Sequence, residues 1–246
     1  MPADRPSEGG NVGTAAEEQA WNRDQLAHVV AVPRCRVWTY GRDELSAVVL
    51  GCSQHQLRPE LEQRIGGRAE LVERDSGGGA VLTGPWLVSA SIVLPQGHPW
   101  VCDGLIESYR HLGKLHVTAL SEIGVTARAL PPWEVPHAHE VSAASATRVV
   151  DWACFGGSSA WEVVDARGRK LVGLAQRRRR SGVLLVAGTL IGSANWSLLC
   201  DVMGHSEDAS KLREGTTSGE EVASSSIEPD QFAYVLMRSL TRAVAI

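Results

Sequence analysis

The 246-residue sequence predicts an α+β fold, with mixed, mainly antiparallel sheets packed against helices around one core. Three observations lead there. Short apolar runs bounded by turn residues crowd the middle of the chain, apolar residues at helical spacing lie before, between and after them, and strict β-α alternation is missing. With 43% apolar residues the chain can fill a single large domain.

Residues 1–13, rich in Pro, Gly, Ser and charge, bury too little apolar surface to offset their ordering entropy, and are expected to be a flexible tail before a domain over 14–246. Thr14 and Glu17 have capping-box spacing, and Trp21, Leu26, Val29 and Val30 support a helix to about Ala31. Strands are expected over Cys35 to Tyr40 and Ala47 to Gly51. Glu70 to Arg74 and Ala80 to Leu82 read as hairpin arms around Gly77-Gly78-Gly79, followed by a strand over Leu87 to Leu94. From a cap at Asp103, Leu105, Ile106, Tyr109, Leu112, His116, Leu120 and Ile123 recur at three- and four-residue steps up to Gly124. This is the clearest helix, with His116 at its margin. Trp161 to Val164 and Lys170 to Arg177 form a hairpin through Asp165-Ala166-Arg167-Gly168, and Gly182 to Leu190 is another strand. Ser197 to Met203 is a short helix, Glu207 to Ser226 is polar and loop-rich, and Asp230 to Val244 is a closing amphipathic helix. No internal repeat is evident.

A net charge of -4 and a pI near 6.1 supply no positive field for nucleic acid. Cys35, Cys52, Cys102, Cys154 and Cys200 are odd in number and lack Cys-x-x-Cys spacing, which fits reduced thiols rather than a disulfide framework or zinc knuckle. No run approaches the roughly 18 apolar residues of a membrane span, and the first residues lack the apolar core of a signal peptide. A soluble, cytoplasmic protein without membrane partners is expected. His137-Ala138-His139-Glu140 offers too few ligands for zinc, so no metal site is expected.

Three segments carry chemistry. In Glu73-Arg74-Asp75-Ser76-Gly77-Gly78-Gly79-Ala80-Val81, three positions without side chains let the backbone approach a ligand closely and take positive φ. In Gly168-Arg169-Lys170-Leu171-Val172-Gly173-Leu174-Ala175-Gln176, one ammonium stands at the edge of an apolar wall, where it can stabilise an oxyanion or a phosphate. Between them, Cys154-Phe155-Gly156-Gly157 places a thiol sixteen residues before Lys170; a cysteine is by default a small buried hydrophobe, and becomes an effective nucleophile where a cation lies close.

In order and spacing these segments resemble the lipoate-protein ligase A and octanoyltransferase family, from about Trp21 to Ile191. The family pattern Arg-Arg-x-Ser/Thr-Gly-Gly-Gly-x-Val-x-His is met by Arg74, Ser76, Gly77, Gly78, Gly79, Ala80 and Val81, but Glu73 replaces the first Arg and Thr83 the His. Gly173 and Gln176 fit the lysine segment, where Leu174 replaces a usual Ser. Gly51-Cys52-Ser53-Gln54 resembles a further element in which Cys52 stands for an Arg. Cys154-Phe155 is similar to the octanoyltransferase branch, and no Gly-Arg-Gly-Arg-x-Gly-Arg loop of the biotin ligases occurs.

The resemblance implies a biotin/lipoate-ligase-like catalytic domain that attaches a lipoyl or octanoyl group to a lysine of a lipoyl domain or a glycine-cleavage H-like carrier. Cys154 and Lys170 would be catalytic, and Arg74, Ser76, Gly77, Gly78, Gly79, Ala80 and Gly173 would bind substrate. An acyl carrier protein is a candidate donor, and no permanently bound cofactor is implied. An ATP-dependent ligase using Mg and an acyl-adenylate is the alternative, and a non-catalytic acyl- or carrier-binding protein is the third reading. Arg177 to Arg180 could dock an acidic carrier, although their side chains alternate faces along a strand.

Overall fold

The computed structural model describes residues 11–42, 44–135 and 150–245. In chain order the strands are β1 (Asn11–Val12), β2 (Arg34–Thr39), β3 (Ala47–Leu50), β4 (Glu70–Glu73), β5 (Val81–Thr83), β6 (Leu87–Leu94), β7 (Arg128–Ala129), β8 (Val163–Val164), β9 (Lys170–Arg179) and β10 (Gly182–Leu190). One sheet runs β1-β2-β6-β10-β9-β8-β7, parallel only between β1 and β2. A smaller sheet runs β4-β3-β5, with β4 parallel and β5 antiparallel to β3. The α-helices are α1 (Ala15–Ala27), α2 (Arg58–Ile65), α3 (Pro99–Cys102), α4 (Leu105–Glu122), α5 (Trp196–Met203), α6 (Ala209–Gly215), α7 (Gly219–Ala223) and α8 (Pro229–Val244).

Strand register assigns the two faces of the large sheet, because side chains paired across strands share a face. Cys35, Ile92, Leu185 and Gln176 form one row. That row meets the helices: Cys35 Sγ lies 3.9 Å from Thr241 Oγ1 of α8, and Gln176 Nε2 donates to Leu105 O of α4 at 3.0 Å. Trp38, Ser89, Gly188 and Gly173 form a row of the opposite parity. It looks toward α1, whose Trp21 meets Trp38 edge to face with centroids 6.3 Å apart.

The capping box of α1 is present: Thr14 Oγ1 accepts from Glu17 N, and Glu17 Oε2 accepts from Thr14 N. The helix stops at Ala27, and Val29 is left 82% exposed. Its buried side is instead Ala15, Glu18, Gln19, Asn22 and Leu26, a polar-rich stripe. The expected hairpin around the triple glycine is not one. Ala47–Leu50 is buried at every position and takes the centre of the small sheet, so β4 and β5 lie on either side of it.

Further differences have local causes. Gly104, at φ 97°, precedes α4 in place of a capping Asp103 side chain. His116 is fully buried rather than marginal, because it sits between Leu112 and Leu120 on the same helical stripe. Burial pushes its pKa down to about 4, and its Nδ1 lies 2.9 Å from Leu112 O. Trp161 has φ 68° and ends the loop before β8 instead of starting the strand. The stretch after Glu207 folds into α6 and α7, with Leu212 and Thr216 to Ser218 buried. Asn11 and Val12, assigned above to the tail, pair with Trp38 and Thr39. His137 to Glu140 lie outside the described residues.

Candidate active site

The glycine loop crosses the end of β3 and is fastened to the cysteine segment. Ala80 N donates to Trp152 O and Cys154 N donates to Ala80 O, both at 2.8 Å, a short parallel bridge between Ala80 and Ala153. That approach requires glycine at position 79, where a Cβ would lie 2.3 Å from Trp152 O. Gly78 has φ 91°, and Arg74 Nη2 closes the loop by donating to Gly77 O at 3.0 Å and Gly79 O at 2.8 Å. Beneath the segment, Trp152 Nε1 donates to Asp208 Oδ2 at 3.0 Å and its ring stacks on His205 at 5.0 Å.

Lys170 reaches this segment through an irregularity in the sheet. Val163 pairs with Val172, but Val164 pairs with Lys170, so Leu171 is an extra residue on β9. Such a bulge reverses the alternation of side chains beyond it and re-aims them. It brings Lys170 to the face of Gly173: from the Cβ position of Gly173, Cys154 Sγ lies 3.3 Å away, Lys170 Cε 3.4 Å and Phe155 Cζ 3.6 Å. Lys170 is 2% exposed. Its Nζ donates to Cys154 O at 2.6 Å and Gly157 O at 2.9 Å, and pairs with Glu162 Oε2 at 2.7 Å. Glu162 is equally buried and also accepts from Ser159 N (2.7 Å) and Leu174 N (2.9 Å). All three ammonium donors are therefore engaged, and the carboxylate clamps the lysine, the cysteine loop and β9 together.

A cleft of about 490 Å³, including its open mouth, runs past this point between the two sheets. Half-buried Cys154 lines it with Phe155 and Gly173, and Val49, Val81, Leu87 and Val186 add apolar wall. Of the candidate substrate-binding residues, Arg74, Ser76 and Gly173 line the cleft. Gly77, Gly78, Gly79 and Ala80 form the loop that fixes the cysteine segment. The cleft also meets a buried polar group, Glu18, Gln19, Thr83 and Ser89. Tyr40 Oη donates to Glu18 Oε2 at 2.7 Å and lies 2.8 Å from Ser89 Oγ. Burial raises the pKa of Glu18 to about 6 against the opposing hydrogen bond from Tyr40 and the charge of Arg74.

Sequence reasoning missed Glu162, Glu18, Ser89 and Gly188. Glu162 left one signal, a charge directly before the apolar pair Val163-Val164. The departures from the motif have local explanations. Glu73 pairs with Arg58 at 3.5 Å, Thr83 Oγ1 donates to Ala47 O at 3.3 Å, and Cys52 N donates to Ser76 O at 3.2 Å. Arg178 is not available for docking, because it donates to Gln176 Oε1, Val101 O and Gly104 O at 2.8 to 3.0 Å. Arg179 pairs with Asp75 of the glycine loop at 2.6 Å.

A family model described as the lipoyl protein ligase A/B catalytic domain matches residues 16–241. The octanoyltransferase LipM of Moorella thermoacetica is 30% identical over 182 residues, covering 72% of this chain and 62% of that protein. The octanoyltransferase LipM of Kyrpidia tusciae is 36% identical over 121 residues, covering 49% of this chain and 41% of that protein. The chain thus spans less than two thirds of the length of these relatives. A bi-partite lipoate protein ligase from Thermoplasma acidophilum shares the fold with TM-score 0.65 at 16% identity, over 95% of this chain and 81% of that one. A lipoate-protein ligase A bound with ATP does so with TM-score 0.62 at 18% identity, over 95% and 82%.

Proposed function

Because this chain belongs to the lipoyl protein ligase A/B catalytic-domain family, we propose that it transfers an octanoyl or lipoyl group from a thioester donor to a lysine of a lipoyl-carrier protein, through Cys154. The observation that carries this reading is the meeting of Cys154 Sγ and Lys170 Cε at Gly173, on the wall of the cleft. The relatives named as octanoyltransferases support the reaction class.

In the first half-reaction the Cys154 thiolate attacks the thioester carbonyl, and the carbonyl π electrons move to oxygen. The fixed positive charge of Lys170 stabilises that oxyanion. Since its three protons are already shared with Glu162, Cys154 O and Gly157 O, Lys170 acts by its field and by holding the loop. Collapse of the tetrahedral adduct expels the donor thiolate, which takes up a proton, and leaves an acyl-Cys154 thioester. In the second half the neutral amine of the carrier lysine attacks that carbonyl, loses a proton, and displaces the Cys154 thiolate to form the amide. The thioester bond supplies the activation, so neither a resident cofactor nor a metal enters. The acceptor is a lipoyl domain or H-like carrier and the donor an acyl carrier protein, in the cytoplasm.

Mass spectrometry after incubation with an octanoyl thioester, without ATP, tests the reading. An octanoyl adduct lost in Cys154→Ser is expected. Carrier modification only with ATP and Mg would replace it by the adenylating ligase, and modification under neither condition by a binding protein.

A further inference from the structure

Resting on the acyl-transfer reading, we propose that Asp208 is a positioning residue for the nucleophile: through the indole of Trp152 it fixes where the Cys154 thiol stands beside Lys170.

The cysteine segment is a rigid unit. Val150 N donates to Gly156 O at 2.8 Å, Gly156 N to Ala153 O at 3.0 Å and Ala153 N to Val150 O at 3.2 Å, so residues 150–156 close on themselves. A Cβ at Gly156 would lie 1.8 Å from Val150 O, which makes glycine necessary at that crossing. The main chain of this unit is held along one line, where Trp152 O accepts from Ala80 N at 2.8 Å and from Gln54 Nε2 at 2.9 Å, and Cys154 N donates to Ala80 O at 2.8 Å. Bonds confined to one line leave a body free to turn about it, and Lys170 meets the unit only with the end of a long side chain.

The indole of Trp152 is the arm that stops the turn. Its Nε1 donates to Asp208 Oδ2 at 3.0 Å, and its ring stacks on His205 with centroids 5.0 Å apart and planes 17° from parallel. Asp208 is 8% exposed, its N donates to His205 O at 2.9 Å, and His205 N donates to O of fully buried Cys200 in α5 at 2.8 Å. Hydrogen bonds from Lys211 and Trp152 hold the Asp208 carboxyl below the ordinary carboxylate range, so it is an anion at neutral pH and its bond to the indole is charge-assisted.

From Asp208 the chain runs through α6 to Thr216, which bridges to Lys170, and to Thr217, whose N donates to Lys170 O at 3.0 Å. One segment, His205 to Thr217, thus holds the nucleophile's loop at one end and the lysine's strand at the other. Loss of the Asp208 contact frees the loop without freeing the strand, and thiol and ammonium lose their common reference.

The test compares Asp208→Leu, which removes the acceptor, with Asp208→Asn, which keeps an amide oxygen for the indole once half-buried Lys211 turns to water. Acylation of Cys154 in the full chain by an octanoyl thioester is followed by mass spectrometry over donor concentration. Asp208→Leu should lower the saturating rate about tenfold or more and leave half-saturation within about twofold, since a displacement of about 1 Å at a reacting group is enough for such a loss. Asp208→Asn should stay within about threefold of the unaltered chain. Trp152→Phe, which keeps an aromatic ring and removes the N–H, should match Asp208→Leu, and the double variant should be no slower than the slower single. Equal losses in Asp208→Leu and Asp208→Asn, a loss confined to half-saturation, or losses that multiply in the double variant would overturn the proposal. Alkylation of Cys154 by iodoacetamide separates it from the reading it rests on. A chain that forms no octanoyl adduct removes acyl transfer; Asp208 still positions the thiol if Asp208→Leu slows alkylation severalfold and Asp208→Asn does not, and equal alkylation of the two overturns it.

Discussion

The Glu162–Lys170 pair offers the sharpest energetic test of how this site is held. Both side chains are 3% exposed and their charged atoms are 2.7 Å apart. Removing one partner of such a buried pair leaves an uncompensated charge and typically costs about 3–5 kcal/mol. Glu162→Gln keeps the shape, but its amide NH₂ must face Ser159 N–H, Leu174 N–H or the ammonium, all donors. The expected loss is about 4 kcal/mol. Lys170→Met leaves the carboxylate its two backbone donors and should cost about 3 kcal/mol. The double variant Glu162→Gln/Lys170→Met no longer buries a net charge, so its cost should fall below the sum of the singles by about 2 kcal/mol or more. Urea denaturation of the four proteins at one pH, with equal m-values, gives the cycle. Additivity to within about 0.5 kcal/mol would refute the argument, since two residues without mutual energy cannot be a clamp.

His116 is buried neutral with its pKa near 4, below its ordinary 6.5. Its contribution is therefore present above pH 6.5 and lost as pH falls toward 4, a dependence of about 3 kcal/mol. His116→Leu should flatten the fall in urea midpoint between pH 7 and 4, and an unchanged slope would exclude this residue as its source. Gly79→Ala drives a methyl into Trp152 O and should cost at least about 2 kcal/mol, with a loss of tenfold or more in the rate of Cys154 acylation. Gly77→Ala meets nothing within 4 Å and should keep the wild-type denaturation midpoint, so equal effects of the two would contradict the loop packing.

Whatever is written within a few residues of one another was readable before the structure. The capping box, the turn into Lys170 and the triple glycine are short-range signals, and resemblance joined them to Cys154. What depends on long-range pairing was not. β3 takes the middle of its sheet because its four residues are all buried, and alternation within β4 or β5 says nothing of which strand lies between them. Likewise Ser89 and Gly188 become one row with Gly173 only when three strands are set in register. Glu18 was hidden for another reason, since the buried face of α1 is polar where the helical pattern was sought in apolar residues. His116, by contrast, could have been placed correctly, because four-residue steps from Leu112 and to Leu120 put it inside the apolar stripe.

A ladder of paired strands counts residues in twos, and Leu171 is the odd one out. Before it and after it the same strand obeys opposite rules of in and out, so the side on which the ammonium stands is a matter of parity rather than of sequence similarity. Pairing Leu171 with Val164 would let the ladder run straight and bond more regularly, yet turn Lys170 toward the helices. Better pairing and a charged cleft thus make opposing demands on β9, and the strand keeps the flaw that serves the cleft.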